Sequence, residues 1–356
     1  MIVAWILYCL GCAAGLAAAA AIAERALLAG HVPVRGVWTG AVALSLLIPA
    51  AAFQLARSQR DAHSNMSVTQ TPLVAAALDS LQGNDLPPVA VAAAPAASPS
   101  WRARLSKWDG PLAGAWVALS AALALYFGAG VVALFTMRRR WRREILLGVD
   151  VLVSERTGPA LVGTLSPAIV LPRWTLAMDD HHLSLMLRHE QEHRRAGDGR
   201  LLTAAQVALV LMPWNAAIWW QIVRLRMAVE LDCDARVLRS ADARSYGDLL
   251  LEVARPRAGL RLVGVTAFAE RATQLERRIR LMRRRRNGLS RAARAGVAAI
   301  GVVVLSTAWV APRPPVPPRT IARVADAPAT LRSLSVSDTI PHLALANANL
   351  RSKNSG

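Results

Sequence analysis

Cysteine is nearly absent from this chain: Cys9, Cys12 and Cys233 are the only three. Three thiols build no disulfide framework; two lie in an apolar helical run and the third is expected in a reducing compartment. Acidic residues are also in short supply. Against 42 Lys+Arg stand 23 Asp+Glu, a net charge of +19, although 54% of the residues are hydrophobic and the mean hydropathy is +0.32. A nucleic-acid binder spreads basic residues over a soluble fold and has no need of long charge-free runs, so direct nucleic-acid binding is excluded. Apolar runs bounded by arginine clusters indicate membrane spans instead. The first run, Ile2 to Ile22, lacks a basic leader and exceeds a signal-peptide core, so it reads as a retained membrane helix.

Val37 to Leu55 returns through the bilayer, giving two transmembrane helices within residues 1–56. Residues 57–110 are polar and then Ala/Pro-rich; that composition buries no core, and a flexible extracytoplasmic loop is expected. A third span over 111–136 ends at Arg138-Arg139-Arg140-Trp141-Arg142-Arg143, which the positive-inside rule assigns to the cytoplasm. Arg283-Arg284-Arg285-Arg286 precedes a fourth span over 293–311, and a Pro-rich, unstructured tail, 312–356, is expected outside. Residues 137–292 are thus placed on the cytoplasmic side.

Chemistry concentrates there. His181, His182, His189 and His193, four of the seven histidines, fall within a short stretch that includes the H-E-x-x-H pentad His189-Glu190-Gln191-Glu192-His193. On a helix, residues i and i+4 share a face, so both imidazoles reach one ion. Zinc takes neutral imidazole nitrogen and a third protein ligand, leaving a position open for water. Glu190 is the general base, placed to take a proton from that water. Downstream, Glu230 supplies the third ligand. Asp234, one turn further on, and Asp198 are placed to accept the outer N–H of a ligating histidine. Cys233 points away from Glu230 and Asp234 on a helix and reads as a small buried hydrophobe.

At this point the chain resembles the BlaR/MecR-type integral-membrane metallopeptidases. The pentad followed by Asp198, then Glu230-x-x-Cys233-Asp234-x-x-Val237-Leu238, carries the likeness, together with Gly163-Thr164-Leu165-Ser166-Pro167-Ala168-Ile169-Val170-Leu171-Pro172 and Leu275-Glu276-Arg277-Arg278-Ile279. It covers residues 110 to 310, and the prenyl-protein-type membrane proteases are the nearest neighbours. The resemblance implies a zinc endopeptidase in the bacterial cytoplasmic membrane that responds to an external stimulus and causes loss of a winged-helix repressor. It departs from the best-known sensors, because residues 312–356 are too few for a penicillin-binding domain.

The expected fold is a mainly α membrane protein. Four transmembrane helices enclose a cytoplasmic zincin-like α+β metallopeptidase domain between the third and the fourth. Within it, Val149 to Val153 alternates as a strand, Gly158-Pro159 marks a turn, and Ala168 to Leu171 is a strand stopped by Pro172. Ile169, Val170 and Leu171 are candidates for pairing with an extended substrate; the other reading is a structural hairpin packed on the membrane face. Asp179 or Asp180 caps the zinc helix and Gly197 ends it. Tyr246 to Ala254 and Arg271 to Met282 read as amphipathic helices.

Leu201 to Ile222 is charge-free and long enough to span, yet Pro213-Trp214-Asn215 interrupts it. Were it to cross the bilayer once, Glu230 would lie on the far side from His189 and His193. A metal site therefore requires this segment to re-enter, to lie in the interface or to pack inside the protein. The Arg283–Arg286 run has two readings, a topology signal or a self-cleavage site. Two other functions remain compatible with the sequence: a non-catalytic membrane receptor or scaffold, and a housekeeping membrane protease.

Overall fold

The computed structural model describes residues 2–81 except 31, residues 107–282 except 156 and 256–264, and isolated positions between 295 and 301; over 60–81 and 265–273 the description is of the backbone. The expected fourth span, the Arg283–Arg286 run and the tail 312–356 otherwise lie outside the described residues.

The chain opens with α1 (Ile2–Ala29) and α2 (Arg35–Leu81), and α3 (Asp109–Arg138) follows. Three helical stretches, Ile2–Leu28, Arg35–Gln59 and Asp109–Arg138, are long and apolar enough to cross a membrane. They match the first three expected spans. The region beyond the second span differs from the expected loop, because α2 stays helical as far as Leu81. No glycine occurs between Gly40 and Gly83, and the helix continues through Pro49 and Pro72.

A four-stranded sheet comes next: β1 (Arg142–Leu146), β2 (Val149–Ser154), β3 (Ala160–Val162) and β4 (Ala168–Pro172), in the order β1-β2-β4-β3. Leu147 and Gly148, both at positive φ, close the β1–β2 hairpin as a two-residue turn whose twist suits antiparallel strands. The arginine run after α3 thus plays two parts, since its last two residues, Arg142 and Arg143, begin β1. Gly158 is required by contact: a Cβ there would sit 2.5 Å from the Val170 carbonyl oxygen of β4.

The sheet order corrects the expectation for Ile169, Val170 and Leu171. β4 pairs in parallel with β2 on one side and antiparallel with β3 on the other, and all three side chains are fully buried. A strand whose amides are already paired on both sides offers no ladder to a substrate. The free edges belong to β1 and β3, and β3 is the one that packs against the histidine helix.

That helix, α4 (Asp180–Ala196), starts on Asp179, whose carboxylate accepts from the His182 N–H at 3.0 Å, and stops at Gly197 in the left-handed conformation. Next come α5 (Asp198–Leu211), α6 (Ala216–Val237), α7 (Ala243–Ala254) and α8 (Val265–Met282). The long apolar segment is broken where Pro213 predicts. The Asn215 side chain accepts from the Ala217 and Ile218 N–H groups to start α6, and α5 and α6 form an antiparallel hairpin. Its tip touches α1 and α3: the Asn215 side-chain amide donates to the Cys9 carbonyl, and Trp116 Nε1 donates to the Leu211 carbonyl at 2.8 Å. Segment 201–222 therefore turns back on itself, and the topological condition for a metal site is met.

α6 belongs to two cores. Its first half, with Ile218, Ile222 and Leu225, packs against Trp38, Val42 and Ala20 of the first two helices, where buried Gln221 donates to the Ala13 carbonyl and to Ser45 Oγ. Its second half, with Cys233 and Val237, packs against Leu183, Met186, Ile169 and Tyr246. One rigid rod thus runs from the span helices to the sheet.

Candidate metal centre

The i, i+4 spacing brings the two pentad imidazoles edge to face, and their Nε2 atoms lie 3.1 Å apart. α6 passes alongside and delivers Glu230, whose carboxylate oxygens sit 3.7 Å from His189 Nε2 and 3.7 Å from His193 Nε2. Two nitrogens sharing a tetrahedral zinc ion at about 2.0–2.1 Å lie about 3.3 Å apart, so this donor set fits such an ion with shifts of a few tenths of an ångström. Arg278 of α8 holds the Glu230 carboxylate at 3.1 Å.

Each ring is fixed from behind through Nδ1. His193 Nδ1 donates directly to Asp198 Oδ2 at 2.8 Å, as its sequence position suggested. Asp198 is 2% exposed and also receives Arg35 and Arg236. Burial pushes its carboxyl up, but hydrogen bonds and charge from His193 and Arg35 outweigh this and hold it below the ordinary value. His189 works differently from the expectation for Asp234. Its Nδ1 lies 3.9 Å from Asp234 but 2.8 Å from the Tyr246 hydroxyl, which in turn donates to Asp234 Oδ1 at 2.7 Å. Burial and the Asp234 charge raise the Tyr246 phenol, which keeps the proton it donates. Arg278 then clamps Asp234 through two nitrogens, at 2.6 and 2.8 Å. In both rings an Nδ1–H donor leaves Nε2 as the lone pair turned towards Glu230.

Two facing Nε2 lone pairs at hydrogen-bond distance imply a shared proton when no cation is bound. Burial disfavours charge on His193, but Asp198, Cys233 and Glu230 outweigh it and carry its pKa up to about 11. Burial and the neighbouring cationic His193 push His189 far down. The pair thus carries one proton where a cation would bind. Zinc has to displace that proton, so zinc affinity measured by chelator competition is expected to rise about tenfold per pH unit between about pH 6 and 8. A flat profile would mean that the pair is neutral.

Glu190 is 6% exposed, and burial together with the Glu230 charge pushes its carboxyl up to about 7, against the pull of His193 and Arg278. A proton carrier with that pKa exchanges readily near neutral pH.

Cys233 is the small buried residue expected, packed in the apolar cluster with Leu183, Met186 and Tyr246. Its sulfur also lies 3.4 Å from His189 Nδ1 and 3.4 Å from the His189 carbonyl oxygen. Ligand atoms of His189, His193 and Cys233 fall within 4.8 Å of one another, which makes the thiol the geometric competitor of Glu230. Tyr246, Arg278, Arg35 and Arg236 were missed as site residues. Two signals pointed to members of this set: Arg278 lies in the Leu275–Ile279 element, and Tyr246 alone of the three tyrosines falls outside the span helices.

A histidine pair and carboxylates held against helices that can cross a membrane define a membrane-associated metallopeptidase. The chain belongs to the BlaR1 peptidase M56 family, which matches residues 28–282. The match starts earlier than the resemblance did, inside α1, and ends with the last residue of α8. No curated protein and no solved structure matches.

Proposed function

We infer that this protein is a zinc-dependent endopeptidase of the bacterial cytoplasmic membrane, with its site on the cytoplasmic face and a cytoplasmic transcriptional repressor as substrate. The observation that carries the reading is the convergence of His189 Nε2, His193 Nε2 and the Glu230 carboxylate beside buried Glu190. The arginines that follow α3 favour the cytoplasmic side, and membrane lipid surrounds the spans. Two further expectations remain part of this reading: the zincin-like arrangement of sheet and helix, and the fourth span beyond α8.

His189, His193 and Glu230 would hold the ion. Zinc bound there supplies Lewis-acid polarisation of the scissile carbonyl and lowers the pKa of a water molecule towards neutrality. Glu190 takes the proton of the attacking water and returns it to the leaving amine. The Tyr246–Asp234 pair and Asp198 keep both rings in one tautomer, so no reorientation is needed during turnover. β3, the sheet edge beside α4, receives the extended substrate through backbone pairing, which demands no particular sequence.

The test uses the full chain in detergent with an unfolded protein and with a winged-helix repressor as substrates. Cleavage that stops on chelation and returns with zinc supports the reading; absence of cleavage in the zinc-loaded protein leaves a receptor or scaffold. Cleavage of the unfolded protein but not of the repressor favours a housekeeping protease. A cut near Arg283–Arg286 in the same digest would identify self-processing.

A further inference from the structure

Both histidines are tied, through their outer nitrogens, to the helices that can cross the membrane. Arg35 is the first residue of α2. Its Nη1 donates to Asp198 Oδ1 and, at 3.2 Å, to the Ala196 carbonyl at the end of the histidine helix. Asp198 passes this constraint directly to His193. The backbone of Arg35 is fixed as well. Both oxygens of Asp232 on α6 are used, one accepting from the Val34 N–H and the other from the Arg35 N–H, each at 3.0 Å. A carboxylate there replaces the missing cap of α2 and complements the positive end of its dipole.

We propose that Arg35 is a positioning residue for the metal site, setting the ring of His193 through Asp198 and tying it to the start of membrane helix α2 through Asp232. The proposal rests on His189, His193 and Glu230 being the metal ligands. Asp198 is nearly water-free and its second arginine, Arg236, sits at 3.4 Å and is shared with Glu192 at 3.2 Å. Arg35 is therefore the partner that fixes the rotation of Asp198. A guanidinium can serve the carboxylate and the Ala196 carbonyl together because its donors lie in one rigid plane, which a lysine ammonium does not reproduce.

The second ring is tied in the same way through neighbouring residues of α8. Arg278 clamps Asp234, which orients His189 through Tyr246. Arg277, next in the chain, donates to Glu24 of α1, a carboxylate only 2% exposed that also accepts from Arg224 of α6 and from Trp38 Nε1 of α2. A shift of the α1–α2 pair relative to α6 would thus be felt at both imidazoles. This arrangement gives a membrane stimulus a route to the metal site without any moving lid.

The test measures zinc affinity of the full chain in detergent by competition with a chromophoric chelator, alongside thermal unfolding of the zinc-free protein. Arg35→Ala is expected to weaken zinc binding about 10–100-fold, the range for loss of an outer-shell partner. Arg35→Lys should fall between Ala and wild type. Asp232→Asn, which leaves one acceptor for two amides, should shift affinity in the same direction by a smaller factor. Arg35→Ala with an affinity within about twofold of wild type would overturn the proposal, and so, should that variant fail to fold, would an Arg35→Lys protein equal to wild type. Asp232→Asn at wild-type affinity would overturn the tie to α2. A purely structural role would lower the unfolding temperature and leave the affinity of the folded protein unchanged. His193→Ala in the same assay separates the cases, since zinc binding that survives it removes the metal site itself.

Discussion

Glu190→Gln is expected to keep zinc bound and to slow peptide hydrolysis by about 10²–10⁴-fold, the usual contribution of a positioned acid–base group. Glutamine matches the shape of the acid and carries no charge, so it fills the same buried space without disturbing His189 or His193. What it removes is the exchangeable proton. Burial and Glu230 have brought that carboxyl up to about 7, which makes it both a competent base for water and a competent acid for the leaving amine. The measurement is kcat on a fluorogenic peptide together with metal content per chain. Full activity with full metal content would end the assignment of Glu190. Loss of metal as well would instead make Glu190 part of the binding site, which its place beside Glu230 does not favour.

The pentad was legible because helical periodicity alone puts residues four apart on one face. The caps were legible for a similar reason: Asp179 and Gly197 act on backbone groups within four residues of themselves. The turn at Pro213–Asn215 followed from chain chemistry together with the demand that Glu230 and the histidines share a side. What was not legible depends on pairing over long sequence distances. β4 reads as a strand from its composition, but whether it is central or at an edge is decided by β3, a three-residue strand with no periodicity to announce it. β1 was hidden by an arginine run that membrane topology explains equally well. Tyr246 and Arg278 reach the site across 57 and 44 residues from their partners, and Arg35 reaches Asp198 across 163. No local pattern carries such contacts.

The choice of third ligand gives the other large expected effect. Glu230→Gln should weaken zinc binding by more than the about 10–100-fold that loss of an outer partner causes, whereas Cys233→Ser should leave it nearly unchanged. The reason is which ring atoms each group meets. Glu230 is the acceptor that approaches both Nε2 atoms, and Arg278 keeps it there. The Cys233 sulfur instead contacts His189 at Nδ1, the atom already engaged by the Tyr246 hydroxyl at 2.8 Å, and at the backbone carbonyl. Burial also pushes its thiol above the ordinary value, and only the thiolate is a metal ligand. A His/His/Cys site would have to break the His189–Tyr246 hydrogen bond and ionise a buried thiol, both at a cost that Glu230 does not incur. Equilibrium dialysis of the two variants against zinc decides between them. If Cys233→Ser lost the metal while Glu230→Gln retained it, sulfur would be the third ligand, and Glu230 would be a charge held by Arg278 beside the site.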